Sequence, residues 1–146
     1  MRKEDFLARR MHTPDDPARA EQRAALRTIS KTLLPLHRAL IEAAKADYMA
    51  SGQQVSSPTH LFQLLTEDPF FAGLRPFTSL IVDIDETATR DFDDETLRAL
   101  VARLDRLFGT TPDEAFAARY VPVLQRDFDV ATGHAAIRQA LAKLSR

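Results

Sequence analysis

At Asp16-Pro17, Ser57-Pro58, Asp68-Pro69 and Thr111-Pro112 a small polar or acidic residue stands directly before proline. The first residue of such a pair can accept a hydrogen bond from the unpaired N–H groups of a helix's first turn. Proline in the next position gives up nothing, because its missing N–H would have had no partner there. Each pair therefore reads as a helix start, and the residues behind it carry the matching period. After Asp16-Pro17, residues Leu26, Ile29, Leu33, Leu36, Leu40, Ala44 and Tyr48 advance by three or four until Ser51-Gly52, as one face of a long helix requires. Pro35 falls inside that run and is expected to kink the helix rather than end it. A shorter helix from Pro58 presents Leu61, Leu64 and Leu65, and Asp68-Pro69 opens the next. Asp93 or Asp94 opens another, with Leu97, Leu100, Val101, Leu104, Leu107 and Phe108 inward and Gly109 at its end. From Thr111 the series Phe116, Tyr120, Leu124 and then Ile137, Leu141, Leu144 predicts one or two closing helices, with bends or breaks at Pro122 and Gly133.

Short connections between amphipathic helices favour antiparallel neighbours. The expected fold is all-α, a single-domain antiparallel bundle of about five or six helices over residues 15–146,. An N-terminal arm, residues 1–14, is set off by the Thr13–Pro17 stretch and is expected to be mobile or to dock through Phe6 and Leu7. With 146 residues, such a domain can bury about 70% of its unfolded surface, so one core is feasible without a disulfide or structural metal.

Composition narrows function by exclusion. Twenty Lys and Arg balance 21 Asp and Glu for a net charge of −1, which creates no field that would draw in nucleic acid or an anionic membrane. Absence of cysteine removes thiolate metal sites, cysteine nucleophiles and thiol switches,. The four glycines are widely separated at 52, 73, 109 and 133, which leaves no phosphate-binding loop or dinucleotide fingerprint. No serine lies in an elbow-like Gly-x-Ser-x-Gly context,. Residues Met1 to Met11 mix charged and apolar side chains, unlike a secretory leader, and no apolar run is long enough to span a bilayer,. A cytoplasmic chain is expected.

The segment Leu80-Ile81-Val82-Asp83-Ile84-Asp85-Glu86-Thr87 resembles the first motif of the haloacid-dehalogenase-like phosphatases, an apolar strand followed by Asp-x-Asp-x-Thr. The resemblance implies that Asp83 would attack phosphorus, that Asp85 would handle the leaving group's proton, and that a Mg²⁺ ion would sit beside both. That chemistry needs the two carboxylates on one side, which a strand tip provides and a helix does not. Residues two apart on a strand share a face, whereas on a helix they stand about 200° apart. Periodicity favours the helix, because Phe70, Leu74, Phe77, Ile81, Ile84 and Ala88 advance by four, three, four, three and four. Pro76 alone interrupts the run, either as a kink or as a new start at Arg75-Pro76. The 59 residues after Thr87 read as helices rather than as the strands of a doubly wound sheet,. A Mg²⁺-dependent phosphohydrolase using Asp83 and Asp85 is thus the rival reading.

On the helical reading, Asp85 lies near the apolar stripe, about 50° from its centre, and Asp83 faces away. A partly buried carboxylate needs a partner, and His37, beside the apolar face of the first helix, is expected to meet Asp85. His37, Asp85 and Glu86 form the candidate buried polar or ligand site, with His37, Glu42 and Glu86 as a further geometry for a metal ion. None of His12, His37, His60 and His134 has the Glu three residues earlier that di-iron bundles use,, so neither metal nor cofactor is expected. Arg98, Arg103 and Arg106 are accompanied by Asp94, Glu95 and Asp105, which reads as a solvated mixed-charge face rather than a nucleic-acid footprint. Phe70, Phe71 and Phe77 are the candidate interaction patch, although aromatic residues at helical spacing more often fill a core.

Asp68-Pro69-Phe70-Phe71-Ala72-Gly73-Leu74-Arg75-Pro76, with Leu80-Ile81-Val82-x-Ile84-Asp85-Glu86 and the closing Ala135–Leu141 segment, is similar to a family of short all-helical bacterial proteins that carry no known activity. The resembled pattern has Trp where Gly73 stands here, a departure that removes a large apolar contact. The resemblance implies an all-helical fold and no assigned chemistry. Together these features point to a non-enzymatic protein acting through protein contacts, with a partner protein or as a homo-oligomer.

Overall fold

A computed structural model describes residues 15–145; the expected arm over residues 1–14 lies outside the described residues. Six α-helices and one 3₁₀ helix follow in order: α1 (Pro17–Ala50), α2 (Pro58–Glu67), the 3₁₀ helix (Pro69–Leu74), α3 (Arg75–Ala88), α4 (Asp94–Phe108), α5 (Glu114–Arg126) and α6 (Phe128–Leu144). Among the described residues there is no strand, and the fold is the expected all-α bundle.

The axis of the bundle is α1, whose 34 residues span about 51 Å. Asp16 caps it through the N–H of Arg19, and Pro35 lies within the helix on the exposed side. Gly52 follows with a φ of 97°, a left-handed conformation that costs glycine little and ends the run. Ala25, Leu26, Ile29, Leu33, Leu36, Leu40 and Ala44 form its buried stripe. α3 packs along one flank of that stripe and α6 along the other. Both run antiparallel to α1, as shown by Ser30 meeting Asp85 and His37 meeting Thr78 on one side, and on the other by Gly133 lying against Thr32 and Leu36 while the later residues Ala136 to Lys143 share a groove with the earlier Glu21 to Thr28.

At the core, Phe77, Phe108 and Phe116 pack edge to face at centroid distances of 5.5 to 5.7 Å, and Tyr120 stacks on Phe116 at 5.0 Å. All four rings are buried. Aromatic edges carry partial positive charge and faces partial negative charge, so such pairs add attraction to their large buried area. Three helices are joined through this cluster, with α3 supplying Phe77, α4 Phe108, and α5 both Phe116 and Tyr120.

Several helix boundaries differ from the sequence expectation. Asp68-Pro69 opens a 3₁₀ turn instead of an α-helix, whereas α3 starts afresh at Arg75 with Pro76 in its first turn, the second of the two roles expected for that proline. Neither Pro122 nor Gly133 ends a helix. The break falls between them at Asp127, whose Oδ1 accepts from the N–H groups of Asp129 and Val130. Asp113, not Thr111, caps α5 through Phe116 N–H. At Asp113 and Asp127 a carboxylate captures the first-turn donors more effectively than the nearby proline or glycine directs the backbone,.

Gly73 sits where the 3₁₀ helix presses on the start of α5. A Cβ there would lie 2.5 Å from the Ala115 carbonyl oxygen. Glycine at this position therefore lets the 3₁₀ helix pack closely on the α5 backbone.

Candidate functional site

The α1–α3 seam carries two polar bridges. Ser30 Oγ donates to Asp85 Oδ1 at 3.3 Å, and His37 Nε2 lies 2.7 Å from Thr78 Oγ1. Thr78 also reaches the Leu74 carbonyl at 3.3 Å; when its hydroxyl donates there, His37 donates to it from Nε2. The imidazole packs edge-on to Phe77 at 5.2 Å, and burial holds its pKa below the ordinary histidine value. It is therefore predominantly neutral at pH 7.

The two bridges are seven residues, or about two helical turns, apart on each helix, so the expected His37–Asp85 contact is not formed. Asp85 is exposed, and Glu86 is exposed beyond it. The expectation of a partly buried Asp85 fails because α3 is flanked on both sides. Asp85 lies at the outer edge of the α1 flank, while Asp83 turns to α4 and is half-buried. His37 and Asp85 thus lie along the α1–α3 seam without meeting, and Glu86 lines the groove on the other flank of α3, so the three do not converge on one ligand. Among the described residues no group of three His, Asp or Glu side chains is arranged to hold a metal ion, so His37, Glu42 and Glu86 are not brought together.

Between the bridges, Leu34 on α1 and Val82 on α3 are 54% and 51% exposed. These are large apolar side chains in the middle of a two-helix face. Arg27, Lys31 and Arg38 follow the same α1 stripe as Leu34 at four- and three-residue steps,. All three are exposed, and none makes an ion pair within the described residues. Sequence reading missed Leu34 and Val82 as a pair because they lie on helices far apart in the sequence. Only the α1–α3 register sets them between the same two bridges.

On the opposite flank of α3, Asp83 Oδ2 accepts from Arg103 Nη1 at 2.6 Å, and Arg103 also reaches Ser79. These groups edge an open groove of about 360 Å³ between α3 and α4, with Glu86, Arg90, Asp93 and Glu95 also on its walls. Asp83 and Asp85 therefore engage different neighbouring helices. The one-sided pair of carboxylates that phosphoryl transfer would require is not formed, because the backbone that carries them is helical.

The aromatic patch also takes a different form. Phe71 and Phe77 are fully buried, and Phe70 is half-buried. Phe70 lies under the Arg119 guanidinium at 3.9 Å and packs on Tyr48 and Phe71. The 3₁₀ turn directs Phe71 inward, so these rings serve the core and do not form an exposed patch.

Several arginines complete helix ends. Arg23 donates to Asp15 and to the carbonyls of Ala88 and Arg90 past α3. Arg75 holds the Leu65 and Asp68 carbonyls, and Arg138 holds that of Phe108. The last carbonyls of a helix lack intrahelical donors, and the guanidinium fork suits them well. The Arg23 bond, opposed by partial desolvation, holds the Asp15 carboxyl below the usual carboxylate range.

A second histidine borders the aromatic cluster. Tyr120 Oη is 2.7 Å from His134 Nδ1, and the phenol donates to that nitrogen when the neutral ring carries its own proton on Nε2,. Burial raises the Tyr120 pKa and lowers that of His134, with Arg138 contributing to the latter.

No helix of the described residues is long and apolar enough to cross a membrane. Compared with protein-family models, curated proteins and solved structures, the chain matches none.

Proposed function

We propose that this chain is a bacterial cytoplasmic protein that works through protein contacts and not by chemistry on a small substrate, with the α1–α3 face as its contact surface. The observation that carries this reading is the placement of half-exposed Leu34 and Val82 side by side in the bundle's layout, between two bridges that fix the helices beneath them. A pre-ordered face with apolar side chains at its centre and polar ones at its rim is the usual anatomy of a protein interface. It also loses little entropy on binding, because its helices are already locked.

The reading is tested by the size of the protein in gently prepared extracts of cells that produce it at native level. The wild-type chain is expected to elute above its 16.4 kDa mass. Leu34→Glu combined with Val82→Glu should move it to the monomer position with its helicity unchanged. Wild-type protein that elutes as a monomer would overturn the reading.

A further inference from the structure

Two arginines fix the place from which residues 1–14 leave the bundle. Arg23 donates from Nε and Nη2 to the Asp15 carboxylate and from Nη1 to the Ala88 and Arg90 carbonyls. Arg19 donates to Asp94, and the two guanidinium groups lie over the Phe92 ring at 4.6 and 5.2 Å. Asp15 is thereby tied to the α3–α4 connection, beside the first turn of α4. An open groove of about 620 Å³ starts at that point and runs between α4 and α6. Leu97, Leu141 and Leu144 are buried along it, and Val101 is half-buried. Asp94 and Asp105 stand at its two ends, about 17 Å apart along α4,.

We infer that this groove is the docking site of the chain's own residues 2–12, held as a helix within the same molecule. The inference is independent of the α1–α3 contact surface. Eleven residues of helix are about 17 Å long, the length of the groove. Thr13 and Pro14 complete the link to Asp15, with a reach of about 10 Å from residue 12,. Phe6, Leu7 and Met11 fall within an arc of about 140° on such a helix, and Asp5 and Arg9 lie on the other side,. With residue 12 beside Asp94 the helix runs antiparallel to α4, and its apolar arc lies level with Leu97 and Val101. Lys3 and Arg10, the basic residues on the same arc, then approach Asp105 and Asp94. Arg98 stands level with Ala8, between the acidic pair Glu4–Asp5 and the basic pair Arg9–Arg10. Tethering makes the encounter intramolecular, so the arm meets the groove at a high effective concentration that a separate partner would have to exceed. An apolar helix face laid into an apolar groove is a common mode of peptide recognition.

The chain has no cysteine, so a single nitroxide can be attached at one chosen position of the full-length protein. Ala142→Cys places it on the exposed side of α6 beside the groove, and Phe62→Cys places it on α2, beyond the far end of α1. In ¹⁵N NMR spectra the label at 142 should erase the amide signals of residues 4–11, and the label at 62 should leave them intact. Phe6→Ser with Leu7→Ser, which alters no residue of the bundle, should restore most of the lost signal. Val101→Asp should do the same with its helicity unchanged. Arm signals untouched by the label at 142, or broadened equally by both labels, would overturn the inference. Broadening that survives Phe6→Ser with Leu7→Ser would overturn it too, since proximity to the tether alone would then explain the loss. When ¹⁵N-labelled chain without nitroxide is mixed with unlabelled chain carrying it at 142, the arm signals should stay intact. Their loss in that mixture would show arms exchanged between two copies and would overturn docking within one molecule.

Discussion

His37 Nε2 lies 2.7 Å from Thr78 Oγ1, and this contact across the α1–α3 seam repeats two turns away as Ser30 to Asp85. The pair of bridges converts two amphipathic helices into a surface of fixed register. Its flanking charges and central apolar residues therefore have defined heights, and a partner can read them as one pattern.

Stability should depend on pH through the two partly buried histidines. His37 and His134 both have pKa values lowered by burial. In the unfolded chain they protonate near their ordinary value of about 6.5, while the folded chain resists. The unfolded state then binds more protons, so folding free energy is fully present above about pH 6.5 and is lost as pH falls toward the lowered folded values. Urea unfolding midpoints should drop between about pH 7.5 and pH 5, and H37Q/H134Q should flatten that dependence. A wild-type midpoint that rises on acidification would contradict the assignment. The lowered carboxyl groups of Asp15 and Asp93 act in a separate window, at more acidic pH.

Asp83→Asn should cost less than about 1 kcal/mol in chemical denaturation, because both members of the Asp83–Arg103 pair are substantially solvated, with side chains 44% and 34% exposed,. Millimolar Mg²⁺ should leave the melting temperature of wild type unchanged, since Asp83 and Asp85 point to different helices. A Mg²⁺-dependent stabilisation that disappears in Asp83→Asn would require the two carboxylates to converge.

Phe108→Ala should destabilise by about 3–5 kcal/mol, as large buried aromatic truncations do. Phe108 touches Phe77, Phe116, Tyr120 and His134, and so ties three helices to the cluster. A loss below 1 kcal/mol, measured by urea denaturation, would mean that the four rings do not share one core as described.

Gly73→Ala should destabilise measurably, and Gly73→Trp should do so more severely, because the first added atom already meets the Ala115 backbone at 2.5 Å. Backbone cannot step aside as a flexible side chain can. A stabilised Gly73→Trp would show instead that the 3₁₀ helix and α5 part to admit the indole.

The fold was legible where hydrophobic period and capping agreed. The stripe from Leu26 to Ala44 and the α4 series from Leu97 to Phe108 are the buried faces observed. It was less legible where two local signals competed, as at Asp127, whose capping carboxylate sets the helix break that Pro122 and Gly133 seemed to offer. The candidate site was legible only in part. His37 and Asp85 do border the α1–α3 seam, but their separation depends on the register between two helices far apart in sequence, which no single-helix projection contains. Arg23, Arg75 and Arg138 were hidden for the same reason, since the carbonyls they serve belong to other segments. Phe71 turned inward because a 3₁₀ helix repeats every three residues, which shifts the wheel on which an exposed patch was drawn.

The most direct test of the contact surface is photo-crosslinking in living cells from a benzophenone amino acid at position 34 or 82, with position 62 as a control. Phe62 is 66% exposed on α2, outside the proposed face. The account predicts specific protein adducts from positions 34 and 82 and none from 62. Adducts absent from 34 and 82, or equally abundant from 62, would contradict it.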